Sequence, residues 1–360
     1  MTAIQKIISH ALLPIILAGC AREYDVVVIG GGTGGTAAAI EAARGGASVL
    51  VVEETPWLGG MLTSAGVSAI DGNYRLRGGI FGEFTDSLAC RYGDYESLKS
   101  GWVSNILFNP RIGADILRSM ADEAGVALKM ETTLSGHPGR GRRIWHLRLS
   151  DGTRIKARIL IDGTELGDLA KNLGVDLLDD RVTAQDLTYV ATVKFYDQPV
   201  TPVRPEGYDP ELYRHCTDTW DKDMMLSYGR LPDGYMMLNW PLDGNDYFAE
   251  YLDMEPQELA EEIRQAKLRT RGYIYYLQTE LGYTNLGIAD DVYPTEDGLP
   301  FYPYFRESHR IAGRDTMTVE SAKDPYSFDH YTRAVAVGDY PVDHHHTKNP
   351  RSEELSHLWH

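Results

Sequence analysis

The sequence predicts an α/β fold in two parts: a mostly parallel sheet, then an α+β region with an antiparallel sheet. Three observations carry this. Residues Asp25–Glu54 read DVVVIGGGTGGTAAAIEAARGGASVLVVEE, two apolar runs around a glycine turn and an alanine-rich segment. The chain has 360 residues, 43% hydrophobic and 24% charged, enough for two ordinary globular domains. After about Asp180 the texture changes, and tyrosine and tryptophan become frequent.

Each element follows from its pattern. Tyr24–Ile29 is almost continuously apolar, as in a strand buried on both faces of a parallel sheet. Thr33–Arg44 predicts a helix whose Ala37, Ala38, Ala39, Ala42 and Ala43 make a thin face, and Gly45-Gly46 stops it. Ser48–Val52 is a second buried strand, so the three form a βαβ unit. In NPRIGADILRSMADEAG, Asn109 can cap, Pro110 suits the first turn, and Ile112, Ile116 and Met120 share a face. VALKMET and IWHLRLSDGTRIKARILID predict strands with Asp151-Gly152 as a hairpin turn, and Ile159–Ile161 can return to the parallel sheet. The stretches DLTYVATVKFYD and GYMMLNWP predict antiparallel strands, and a helix is expected from Pro256 to about Gly282. The expected division is a nucleotide domain at 21–180, a substrate domain at 181–330 and a return segment at 331–360.

The glycine loop has the spacing Gly30-x-Gly32-x-x-Gly35, with Thr33 and Gly34 inside it and Glu53 closing the next strand. This is a Rossmann-like dinucleotide pattern with its full context. The first glycine makes a tight turn, the second lets backbone approach a pyrophosphate, and the third lets helix pack on strand. The phosphates then face the helix N-terminus, whose N–H groups and dipole favour anions. Glu53 stands 23 residues after Gly30 and can accept from a ribose hydroxyl, which disfavours a 2′-phosphate. FAD and NAD both satisfy this pattern.

The net charge of −17 and a pI near 5.1 argue against nucleic acid and against electrostatic docking on anionic lipid. Arg140, Arg142 and Arg143 sit in a glycine-rich turn and read as a solvated loop. The N-terminal IISHALLPIILAGC is shorter than the ~20 apolar residues a membrane span needs. It suits a signal peptide over residues 1–20, and Leu17-Ala18-Gly19-Cys20 resembles a bacterial lipoprotein box. Lipidation of Cys20 would anchor the protein in the cell envelope by its lipid alone; a secretory signal or a cytoplasmic helix are the alternatives. Three scattered cysteines cannot build a Cys₄ iron–sulfur site, and pairing of Cys90 with Cys216 stays open.

VVVIGGGTGGTAAAIEAARGGASVLVVEETPWLGGMLTSAG resembles the FAD-dependent oxidoreductase family related to the flavin subunit of heterodisulfide reductase, in particular its lipoprotein-type bacterial members. ILIDGTELGDLA, LPFYPYFRESHRI and VAVGDYPVDHHH match as well. The resemblance implies FAD as cofactor. It puts Gly59, Gly60 and Met61 near the diphosphate, and the Asp162-Gly163-Thr164 turn under the dinucleotide. It also places PYFRESHRI near the flavin, so Arg306 and His309 become the expected catalytic residues, although the family carries arginine where His309 stands. A surface or interdomain ion pair of Arg306 with Glu307 or another acid is the alternative. Glu165 and Asp168 read as acids at a helix start.

No metal site is expected. Neighbouring residues among His344, His345 and His346 point to opposite faces of an extended chain, so a substrate-side, structural or tail role is left for them. The resemblance also implies a closing strand and glycine-rich turn at the C-terminus. PVDHHHTKNPRSEELSHLWH contains neither, so this segment is expected to be missing or supplied by a second chain. The function expected is hydride or electron transfer between flavin and a small organic substrate. An NAD-dependent dehydrogenase and a non-catalytic nucleotide-binding remnant are the alternatives.

Overall fold

A computed structural model describes residues 21–178, 185–239, 244–328, 332, 338 and 345–353. The chain opens with β1 (Arg22–Ile29), α1 (Thr33–Arg44) and β2 (Val49–Val52). Then come α2 (Gly79–Tyr92), α3 (Pro110–Glu123), β3 (Ala127–Lys129), β4 (Gly139–Arg140), β5 (Trp145–Arg148), β6 (Arg154–Asp162) and α4 (Asp168–Asn172). The six strands form one sheet in the order β3-β2-β1-β6-β5-β4. β1 lies parallel to both neighbours, with Val26 opposite Val49 on one side and Ile159 on the other. β5 and β4 add an antiparallel meander at the far edge.

Alternation along β1 divides the packing. Val26 and Val28 face α1, α2 and α3, where Ala39, Ile40, Phe84, Leu88, Phe108 and Leu117 close over them. Val27 and Ile29 face the meander and α4, against Leu147, Leu149, Ile155 and Leu169. Each such apolar side chain contributes about 1.5–3 kcal/mol on full burial. The alanines of α1 therefore allow close approach, as their size suggested.

The second region holds β7 (Leu187–Thr188), β8 (Ala191–Phe195), α5 (Lys222–Ser227), β9 (Met236–Leu238), β10 (Asp246–Tyr247), α6 (Pro256–Thr279), β11 (Leu286–Ile288) and α7 (Val319–Lys323). β8 sits between β11 and β9, and β10 pairs with β7; all these pairings are antiparallel. α6 buries Ala266, Tyr273, Ile274, Tyr276 and Leu277 against them.

The capped helix after Asn109 forms as expected, the Asn109 side chain accepting from the Arg111 N–H. Its buried face is Gly113, Leu117, Met120 and Ala121, so Ile112 and Ile116 lie at the margin rather than the centre. Asp151-Gly152 makes the hairpin, with Asp151 accepting from the Thr153 N–H at 2.9 Å. Arg140 leaves the same meander to lie over the Trp145 ring, 4.5 Å from its centroid. α2 is a helix that periodicity missed. It lacks a side-chain cap and carries two glycines, and tertiary burial of Phe84 and Leu88 holds it. Cys90 is exposed and Cys216 buried, and both are free.

Candidate dinucleotide site

The glycine loop is a junction of three backbones. Gly30 ends β1 with φ +91°, and its N–H donates to the Val52 carbonyl at 2.8 Å. A β-carbon on Gly30 would collide with the Gly163 carbonyl, and one on Gly35 would collide with the carbonyl of Gly30. Only hydrogen fits where β1, α1 and the end of β6 meet. Gly163, expected beneath the dinucleotide, thus has a packing reason as well: its N–H donates to the Ile29 carbonyl at 2.7 Å. Gly34 differs, because no atom stands within 4 Å of a β-carbon there.

A second turn closes on this loop. The Gly59 N–H donates to the Gly31 carbonyl at 2.8 Å, and the Thr33 hydroxyl donates to the Gly59 carbonyl at 3.0 Å. Thr33 therefore tethers the Gly59-Gly60 turn with its side chain. No side chain caps α1 and no acid stands in its first turn, which leaves the first N–H groups of the helix to a bound anion.

Acids surround this positive end. Glu53 is buried, its Oε2 accepting from the Gly31 N–H at 2.6 Å and its Oε1 from the Thr55 N–H and hydroxyl at 2.8 and 2.7 Å. Expected to hold a ribose, it is first a brace between the glycine loop and the end of β2, with one lone pair of Oε2 remaining. Burial raises its pKa against those bonds. Glu54 opens into the cleft, whose walls, with the charges of Glu53, Asp168 and Glu165, push its carboxyl up to about 7. Asp168 does open α4, as a helix-start acid should. Glu165 does not: it turns toward the loop and accepts from the Tyr302 hydroxyl at 3.0 Å. Burial raises its pKa, and the nearby Met61 backbone works against that.

Of these residues Gly30, Gly32, Glu53, Glu54, Gly163, Glu165 and Asp168 line a cleft of about 1010 Å³ that continues past Thr132–Leu134 to Pro294, Phe301, Tyr302 and Phe305. Its length, its uncapped helix and its close backbone turns fit a dinucleotide. The FAD dependent oxidoreductase family profile matches residues 25–359. The chain belongs to that family. FAD is accordingly its cofactor, and the cleft is the place where the observed groups fit it.

No curated protein matches the chain. Among solved structures it is similar to the crystal structure of AlpK, at 18% identity over 51% of this chain and 40% of that one, with a TM-score of 0.33. It is similar to NikD, described as an unusual amino acid oxidase, at 18% identity over 50% of this chain and 60% of that one, TM-score 0.29. A thioredoxin reductase from Gloeobacter violaceus aligns at 16% identity over 39% of this chain and 34% of that one, TM-score 0.25. The chain thus spans well under two thirds of those proteins, and the likeness is too distant to carry an argument about chemistry.

The structure puts several expected site residues elsewhere. Arg306 does not line the cleft. Its side chain is 5% exposed; it donates to the Asp186 carbonyl at 2.7 Å and pairs with Asp246 at 3.4 Å. This is an ion pair with another acid, as in the alternative, but buried and within the second region. His309 packs against Gly167, its N–H donating to the Leu166 carbonyl, and its Nε2 is buried with no hydrogen-bond partner among the described residues. Asp162 shapes the turn: Oδ1 accepts from the Thr164 N–H and hydroxyl, Oδ2 from the Ala170 N–H at 2.8 Å. Thr164 then accepts from the Asp168 N–H at 2.9 Å. Asp162 is thus a turn and helix-docking group, while Thr164, which also docks α4, lines the cleft. His345 meets Asp246 through Nδ1 at 2.7 Å. Cys20 and His344 lie outside the described residues. No group of three metal-ligating side chains occurs among the described residues.

Sequence reading missed Glu165, Tyr302 and the Asp186–Asp246 pair. Their partners lie 58 to 162 residues away, a separation no local pattern encodes. Burial pushes Asp186 up to about 7, Asp246's charge adding to it and the Lys348 N–H opposing. Burial works against Asp246 too, yet Arg306 and His345 hold its carboxyl below the ordinary value.

Proposed function

We propose that this protein is an envelope-anchored FAD-dependent oxidoreductase acting on a small organic substrate. The carrying observation is the cleft in which the uncapped start of α1, the Gly59-Gly60 turn and the acid-bearing end of β2 converge. When bound, FAD supplies the hydride- or electron-accepting group. The chain's own residues bind and shield it. The N–H groups of Thr33, Gly34 and Gly35 face the diphosphate. Glu54 and the remaining lone pair of Glu53 serve ribose hydroxyls and oppose a 2′-phosphate. Phe301, Tyr302 and Phe305 exclude water from the adjoining wall.

Two features extend the reading. The apolar stretch ending in LAGC supports a lipid anchor on Cys20, and Cys20→Ala should abolish incorporation of labelled palmitate. β5 pairs β6 only through Ala157, so Arg158–Asp162 has β1 alone beside it among the described strands, and Ile159 is 55% exposed. We place the contact with a strand from a further segment or second chain at this edge.

The test is an absorption spectrum of the purified full-length chain, then chromatography of the ligand released by heat. Flavin bands near stoichiometry, released as FAD, support the reading. A colourless protein that binds NAD but takes up no FAD would replace it with a nicotinamide dehydrogenase.

A further inference from the structure

The cleft has an unusual charge balance for an anionic cofactor. Its lining carries Glu53, Glu54, Glu131, Glu165 and Asp168, and no lysine or arginine among the described residues. Glu165 stands apart from the other acids in position. A β-carbon on Gly60 would run into its Oε1, and one on Gly32 would come within 4.0 Å of the same atom. The carboxylate therefore lies between the glycine loop and the Gly59-Gly60 turn, beside the open end of α1. The Tyr302 hydroxyl fixes it from the opposite wall at 3.0 Å.

We infer that the Glu165 carboxylate is a resident anion of the diphosphate seat, which FAD must displace in order to bind. A carboxylate and a diphosphate at van der Waals distance in a partly desolvated cleft repel each other strongly, and one of them has to move. Displacement frees Tyr302, which lines the same cleft. Glu165 thereby sets cofactor affinity without holding the cofactor. Burial, and with it the charge of Glu53 at the end of β2, already works against its ionised form.

This inference rests on the FAD reading, and its test separates the two. FAD affinity is measured by flavin fluorescence for the full-length chain, Glu165→Gln and Glu165→Ala, with circular dichroism to establish that each folds. In parallel, thermal unfolding is followed with inorganic pyrophosphate at millimolar concentration. The expected result is FAD binding at least ~10-fold tighter in both variants, and pyrophosphate protection of the variants but not of the parent. Pyrophosphate protection confined to the variants, with no FAD bound by any form, would uphold the seat and overturn the cofactor. Equal or weaker measurable FAD affinity in the variants, or equal pyrophosphate protection of all forms, would overturn the inference.

Discussion

The glycine-loop sheet and the tyrosine-rich second region solve the same packing problem with opposite means. In the first, side chains are removed: Gly30, Gly35 and Gly163 let three backbones touch, and the binding surface is main-chain N–H. In the second, polar side chains are buried and paired. Tyr189 donates to the Pro300 carbonyl at 2.6 Å, Tyr213 to the Arg269 carbonyl at 3.0 Å, and Asp246 gathers Thr188, Arg306 and His345. A site made of absence is intolerant of added volume. A site made of buried polar groups is intolerant of lost partners.

The largest effect should come from breaking the second kind. Arg306→Met leaves Asp246 buried without its cation and should cost about 3–5 kcal/mol in urea unfolding. If FAD affinity is lost while stability is kept, Arg306 belongs to the cofactor site and the contrast fails. Next is the first kind. Gly163→Ala sets a β-carbon against the Gly30 carbonyl and should cost about 1–3 kcal/mol together with FAD affinity. Gly34→Ala, in the same motif, meets no atom within 4 Å and stands in a helix, so stability should rise or stay within about 1 kcal/mol. Equal losses at Gly163 and Gly34 would show that sequence motif, not backbone contact, decides.

The smallest effect is a slope. Between its ordinary value and about 7, Asp186 holds a proton in the folded chain that the unfolded chain has released. Its contribution to stability therefore falls as pH rises from about 4 to 7. Asp186→Asn should flatten that part of the stability–pH curve, as read by urea midpoints. An unchanged slope would mean that Asp186 is ionised in the folded protein.

The same contrast explains what was legible beforehand. The glycine loop, α1 and the strands on either side could be read because their constraints are local: turn, cap and apolar run lie within 30 residues. The parallel return of Ile159–Ile161 was legible for the same reason, as an apolar run fit only for a buried strand. Arg306 was assigned by its motif, but its role is set by Asp186 and Asp246, which are 120 and 60 residues away in sequence. Glu165 sits three residues before a true helix start and so looked like a helix-start acid; only the fold brings Gly60 and Tyr302 to it. α2 was hidden because Gly79 and Gly82 contradict the packing that forms it.

The most direct measurement is a crystal structure of the full-length chain grown with FAD. The account predicts diphosphate oxygens within hydrogen-bond distance of the Thr33, Gly34 and Gly35 N–H groups, with Glu165 moved away from Gly60 and off the Tyr302 hydroxyl. A diphosphate bound away from the start of α1, or seated there with Glu165 unmoved, would contradict it.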